Sequence, residues 1–102
     1  MFVKIRKRDG REAPFNAEKI AGAILKALDA VAEETGEAAR QDAALALTER
    51  VAARMETELA GRIPQVEEIQ DIVENVLIES GRARAAKAYI LYRARRSQAR
   101  EM

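Results

Sequence analysis

Aliphatic residues return at intervals of three and four along three separate stretches, and this periodicity constrains the fold more than anything else in the chain. Ile20, Ile24, Ala27, Leu28 and Val31 form one series, Leu47, Val51, Met55 and Leu59 a second, and Val66, Ile69, Val73, Val76 and Leu77 a third. Such spacing gathers each set on one face of an α-helix, and that apolar stripe must be buried against another element. The punctuation agrees with this. Asn16 is a good N-cap and Phe15 before it can staple onto Ile20. Thr35-Gly36 ends the first run, Gly61 and Pro64 break the second, and Ser80-Gly81 closes the third. An Ala-rich fourth helix starts at Ala83, offers Ala85, Ala86, Tyr89, Leu91 and Tyr92 for packing, and frays from Arg93 to Met102. Aromatic residues are only 4% of the 102, so the core must be aliphatic.

Ahead of the helices the period switches to two. Phe2, Lys4 and Arg6 alternate with Val3, Ile5 and Lys7, which is a strand pattern. Asp9-Gly10 is a strong hairpin turn because Gly tolerates positive φ. Arg11 to Phe15 is then the return strand, kept short and at an edge by Pro14, which lacks a backbone donor. A lone hairpin is only marginally stable in water, so this one must lie on the helices. The expected fold is mainly α and a single domain over residues 1–102, with a hairpin at about 2–15 and helices at about 16–34, 39–60, 66–80 and 83–98. Short connections favour antiparallel neighbours, hence a four-helix antiparallel, up-down-up-down bundle capped by a small N-terminal β-hairpin or short sheet.

Several chemistries drop out. Without Cys there is no disulfide, thiolate metal site or thiol nucleophile, and without His the commonest general base and zinc ligand are missing. The pattern favours a binding module over an enzyme. Absence of Cys fits a reducing compartment. No apolar run approaches the roughly 20 residues needed to cross a bilayer. Met1-Phe2-Val3 runs directly into Lys4, Arg6, Lys7 and Arg8, so no signal peptide is expected and the chain reads as cytoplasmic, with no membrane partner.

Net charge is only +1, from 18 Lys plus Arg against 17 Asp plus Glu, but the charges are segregated. Lys4, Arg6, Lys7, Arg8 and Arg11 make one end basic, and Arg82, Arg84, Lys87, Arg93, Arg95, Arg96 and Arg100 the other, around an acidic middle. An antiparallel bundle pools these ends. It places Lys7 and Arg8 beside Asn16, Lys19 and Ile20 at the start of helix one, Val66 and Gln70 at the start of helix three, and Arg93 with Arg95 on helix four. Two helix N-termini ringed by Lys and Arg make a phosphate-binding environment. Ile20 and Val66 can sandwich a flat base, and Asn16 and Gln70 carry both donors and acceptors. Neither GxxxxGK[ST] nor GxGxxG is present. From the residues alone a plainer account stays open, in which the basic ends are separate solvated faces, Ile20 and Val66 are core, and Asn16 is only a cap.

Three ordered strings narrow the choice. Lys7-Arg8-Asp9-Gly10-Arg11, with Phe15-Asn16 and Glu18-Lys19-Ile20, is followed by Val66-Glu67-Glu68-Ile69-Gln70-Asp71-Ile72-Val73-Glu74 and by Ala86-Lys87-Ala88-Tyr89-Ile90-Leu91-Tyr92-Arg93. In order and spacing they resemble the ATP-cone domain, from about Val3 to Arg96. The resemblance implies an allosteric domain of ribonucleotide reductases, or of the related repressor of their genes, that binds ATP or dATP and couples their ratio to activity or oligomeric state. It implies a nucleotide-binding set of Ile5, Lys7, Arg8, Asn16, Lys19, Ile20, Val66, Gln70 and Arg95, with Lys7, Arg8 and Arg95 near the phosphates and no catalytic residue. Val66 and Gln70 stand where some members carry Thr and His. Lys87 lies two helical turns, about 12 Å, from Arg95 and ranks lower. A Mg²⁺ ion bridging the phosphates is compatible with the resemblance, but no dedicated carboxylate ligand stands out. Partners implied are ATP or dATP, further copies of the chain, or reductase subunits. A reductase needs a catalytic cysteine and the repressor's zinc ribbon needs four, so the chain reads as an excised or standalone cone. The rival reading is a basic-ended helical domain that binds nucleic acid within a transcriptional regulator. It expects a steep salt dependence and indifference to free ATP, and the near-zero net charge weighs against it.

Overall fold

The structure, a computed structural model, describes residues 2–32 and 36–101. Strand β1 (Lys4–Arg6) pairs antiparallel with β2 (Glu12–Pro14), placing Ile5 opposite Ala13. The turn between them is closed by the Gly10 N–H donating to the Lys7 carbonyl at 2.9 Å, with Gly10 at φ +89°. There Asp9 Oδ1 accepts the Arg11 N–H at 3.0 Å, the leading cause that holds the Asp9 carboxyl below its ordinary value. Lys4 and Arg6 both pair with Glu12, at 3.6 and 3.3 Å, which ties the two strands together.

Four helices follow: α1 (Ala17–Val31), α2 (Glu37–Glu58), α3 (Val66–Glu79) and α4 (Ala83–Glu101). Asn16 Oδ1 accepts the Glu18 N–H at 2.9 Å, so Asn16 is the N-cap of α1. That helix stops at Ala32 in a left-handed conformation, φ 48°, while Gly36 stands before α2 at φ 96°. The expected Thr35-Gly36 stop therefore falls partly outside the described residues. At α3 a capping box forms. The Gln65 side chain accepts from the Glu68 N–H, and Glu68 Oε1 accepts the Gln65 N–H at 2.9 Å. Arg62 donates to both oxygens of Glu68. The Arg62 hydrogen bond first, and the Gln65 N–H second, hold the Glu68 carboxyl below its ordinary value.

The helices form a ring, α1 against α2 and α4, α3 against α2 and α4. Its centre is aliphatic, with Ile24, Leu28, Val51, Met55, Val76 and Leu77 fully buried. Each fully buried Leu or Ile contributes roughly 1.5–3 kcal/mol relative to exposure. Ala85, Ala86 and Tyr89 bring α4 into the core. Leu91, counted above among the packing residues, is instead 57% exposed, because the buried face of Ala85, Ala86 and Tyr89 turns position 91 outward.

Arg93, midway along α4, bonds Asp71 and Glu74 midway along α3, both at 2.8 Å, and reaches the Glu67 carbonyl at 3.5 Å; with the tight turn at Ser80-Gly81-Arg82 joining them, the two helices run antiparallel. Arg54, in the last turn of α2, reaches Glu79 at the last residue of α3 at 2.8 Å. The C-terminal portions of the two helices thus meet. The hairpin docks at the start of α3. Arg6 donates its N–H to the Pro64 carbonyl at 2.8 Å and bridges Gln65 in parallel. The Phe2 and Phe15 rings meet at 6.4 Å beside the entry to α1. Among the described residues no helix is long and apolar enough to cross a membrane.

Candidate functional site

Where the hairpin meets the first turns of α1 and α3, a cavity of about 490 Å³ opens and continues down the groove between α1 and α4. The hairpin supplies Ile5, Lys7 and Arg8, and α1 supplies Lys19, Ile20, Gly22, Ala23 and Lys26 beside its cap Asn16. Val66, Ile69, Gln70 and Val73 come from α3, and Tyr89, Tyr92, Arg93 and Arg96 from α4. Six basic side chains line the cavity and, among the described residues, no acidic one does. In a chain of net charge +1 that is a strong local segregation.

The cations differ in how they are held. Arg8 Nε lies 3.5 Å from Glu67 Oε1, and Arg93 is clasped by Asp71 and Glu74. The Lys26 ammonium sits 5.5 Å from the centre of the Tyr92 ring and the Arg96 guanidinium 5.9 Å from it, a cation–π arrangement. Lys7 and Lys19 have no ion-pair partner among the described residues. Gln70 Oε1 is buried and finds no hydrogen-bond donor among the described residues, an arrangement that is costly unless something else supplies one. Tyr89 lies beneath, its phenol pushed above the ordinary value by burial.

Of the nine residues drawn from the resemblance, eight line this one cavity: Ile5, Lys7, Arg8, Asn16, Lys19, Ile20, Val66 and Gln70. Arg95 does not; it is exposed, and α4 presents Arg93 and Arg96 instead. Lys87 is also exposed and away from the cavity. The residues missed in the sequence were Lys26, Tyr92 and Arg96 as cavity walls, with Gly22 between the first of these and Lys19. Helical phase carries the signal for them. Positions 19, 22, 23 and 26 fall at i, i+3, i+4 and i+7, and so do 89, 92, 93 and 96 counted from the buried Tyr89. Asn16 spends its side-chain oxygen on the Glu18 N–H, and the α3 capping box occupies the Glu68 N–H. The two helix starts therefore offer fewer open donors than bare termini would.

Chemically, the cavity can hold a polyanion at its basic rim while the aliphatic side chains of Ile5, Ile20 and Val66 cover something flat. Among the described residues no group of three or more acidic side chains is placed to hold a metal ion.

Known proteins carry a similar segment. The family model of the ATP cone domain matches residues 3–98. The vitamin B12-dependent ribonucleoside-diphosphate reductase of Thermoplasma acidophilum is 42% identical over 106 residues, covering 99% of this chain and 13% of that protein. The anaerobic ribonucleoside-triphosphate reductase of Escherichia coli is 37% identical over 102 residues, again 99% of this chain and 13% of the relative. A ribonucleoside-diphosphate reductase subunit alpha from Chlamydia pneumoniae is 38% identical over 103 residues, 97% of this chain and 10% of its own length. The chain thus spans about an eighth or less of these relatives. With the family match running across nearly all of it, the chain belongs to the ATP-cone domain family.

Proposed function

We propose that this chain is a regulatory domain that binds ATP or dATP in the cavity under the hairpin and couples the bound nucleotide to the activity or oligomeric state of a ribonucleotide reductase. The observation that carries the reading is the wall of six basic side chains, with no acidic one in it, no ion-pair partner for Lys7 or Lys19 and no donor to the buried Gln70 Oε1 among the described residues. In this reading Lys7, Lys19 and Arg8 take the phosphates, where charge-assisted bonds are the strongest available. The base lies between Ile20 and Val66 with Gln70 at its edge, and an adenine amino group supplies the missing donor. Family membership supports a nucleotide-binding regulatory role, and the similarity to reductases supports the partner. The role is not catalytic, and any Mg²⁺ arrives on the phosphates. The setting is the cytoplasm, where reductase and nucleotide pool meet.

Nucleotide bound between hairpin and bundle fixes the hairpin against α1 and α3, and so biases which surface is offered for self-association. A ligand shifts such an equilibrium only by its differential affinity for the two states. Calorimetric titration of the chain with ATP and with dATP tests the reading directly. Saturable heat and a raised melting temperature are expected; no heat and no thermal shift at millimolar nucleotide would refute it.

A further inference from the structure

Beside the main cavity the hairpin turn roofs a smaller cleft of about 130 Å³, lined by Arg6, Lys7, Arg8, Gly10, Gln65, Val66 and Glu67. Three consecutive cations face it, yet they are not equivalent. Arg6 is held within the hairpin by Glu12 at 3.3 Å and by the Gly10 carbonyl at 3.3 Å. Lys7 has no carboxylate partner among the described residues, and Arg8 is held by Glu67 across the cleft at 3.5 Å. Glu67 sits in the first turn of α3, half exposed, and is the acidic residue of this cleft.

Resting on the nucleotide reading above, we propose that Glu67 is a specificity-determining residue of the site, a resident carboxylate that occupies Arg8 until the outer phosphates of a nucleotide displace it. The carboxylate and the phosphates compete for one guanidinium, and Glu67 also repels whatever negative charge enters the cleft. Its effect therefore grows with the number of phosphates that reach the hairpin turn and vanishes for a ligand that stops short of it. Glu67 contributes nothing to recognition of base or sugar, which lie on the other side of Val66. Because Glu67 is half exposed and takes no part in the α3 capping box, its carboxylate can be neutralised without disturbing the fold.

The test is calorimetric titration of the 102-residue chain and its Glu67→Gln and Glu67→Asp variants with ATP, ADP, AMP and adenosine at low and high salt. Glu67→Gln is expected to bind ATP about three- to fivefold more tightly, the size of one exposed ion pair, with a smaller gain for ADP and none for adenosine. The gain shrinks at high salt, and Glu67→Asp, which keeps the charge, stays close to the parent. Weaker or unchanged ATP binding by Glu67→Gln, or an equal change for ATP and adenosine, overturns the role of Glu67 while leaving the nucleotide reading standing. Failure of the parent and of both variants to bind any of the four ligands overturns the nucleotide reading, and the role of Glu67 with it.

Discussion

Ala32 ends α1 with φ 48°, a left-handed conformation in which a β-carbon crowds the following carbonyl. Glycine has no such penalty at a helix C-cap, so Ala32→Gly is expected to stabilise the chain by about 1 kcal/mol in urea unfolding. Gly22 presents the opposite case. It lies inside α1 on the cavity wall, and a β-carbon there would meet nothing within 4 Å. Gly22→Ala should therefore add roughly 0.5–1 kcal/mol of stability by its helix propensity, as a melting curve can show. In the proposed reading Lys7 carries the heavier functional load. Reversing its charge together with that of Arg8 is expected to cost triphosphates far more affinity than adenosine, and equal losses would speak against a phosphate role. At this scale the sequence was a partial guide. Motif order located Lys7, Asn16, Lys19 and Gln70, each of which reaches the cavity. Arg95 came from the same alignment of strings, but one residue on a helix is a rotation of about 100°, and it is Arg93 and Arg96 that share the face of the buried Tyr89.

Among the elements, α3 has the most specific start. Its capping box joins Gln65 to Glu68, and Arg62 reaches Glu68 from the preceding loop. The folded state holds the Glu68 carboxyl below its ordinary value of 4.5, so this stabilisation is complete above that pH and is lost as pH falls through the lower, folded value. Glu68→Gln should be less stable than the parent near neutrality and should show a flatter loss of stability below about pH 4.5, measured by urea unfolding at several pH values. Because Arg6 hangs the hairpin on Pro64 and Gln65, weakening the start of α3 loosens the roof of the cavity as well. Element types were easy to read, since three aliphatic stripes at helical spacing and one alternating segment leave little choice. Their ends were harder. The stop of α1 is set by an alanine in a conformation that no residue preference announces, and the phase of the Ala-rich α4 was masked by having apolar residues such as Ile90 and Leu91 on its exposed side.

At the scale of the molecule, the ring of helices turns a chain with almost balanced charge into one with a basic cavity at one end. The charge pattern along the sequence suggested that pooling. It could not reveal that the C-terminal portions of α2 and α3 meet at Arg54 and Glu79, because Gly61 and Pro64 mark the end of α2 but not where the loop at 59–65 leads. If nucleotide binding fixes the hairpin and biases self-association, sedimentation of the chain with and without dATP should show a change in mass distribution, larger for one of ATP and dATP than for the other. An unchanged distribution at saturating nucleotide would separate binding from assembly. The most direct measurement is a crystal structure of the chain with dATP. The triphosphate is expected against Lys7 and Lys19, with the adenine between Ile20 and Val66 and its amino group donating to Gln70 Oε1. Nucleotide density elsewhere on the bundle, with Lys7 and Lys19 left in solvent, would contradict the account.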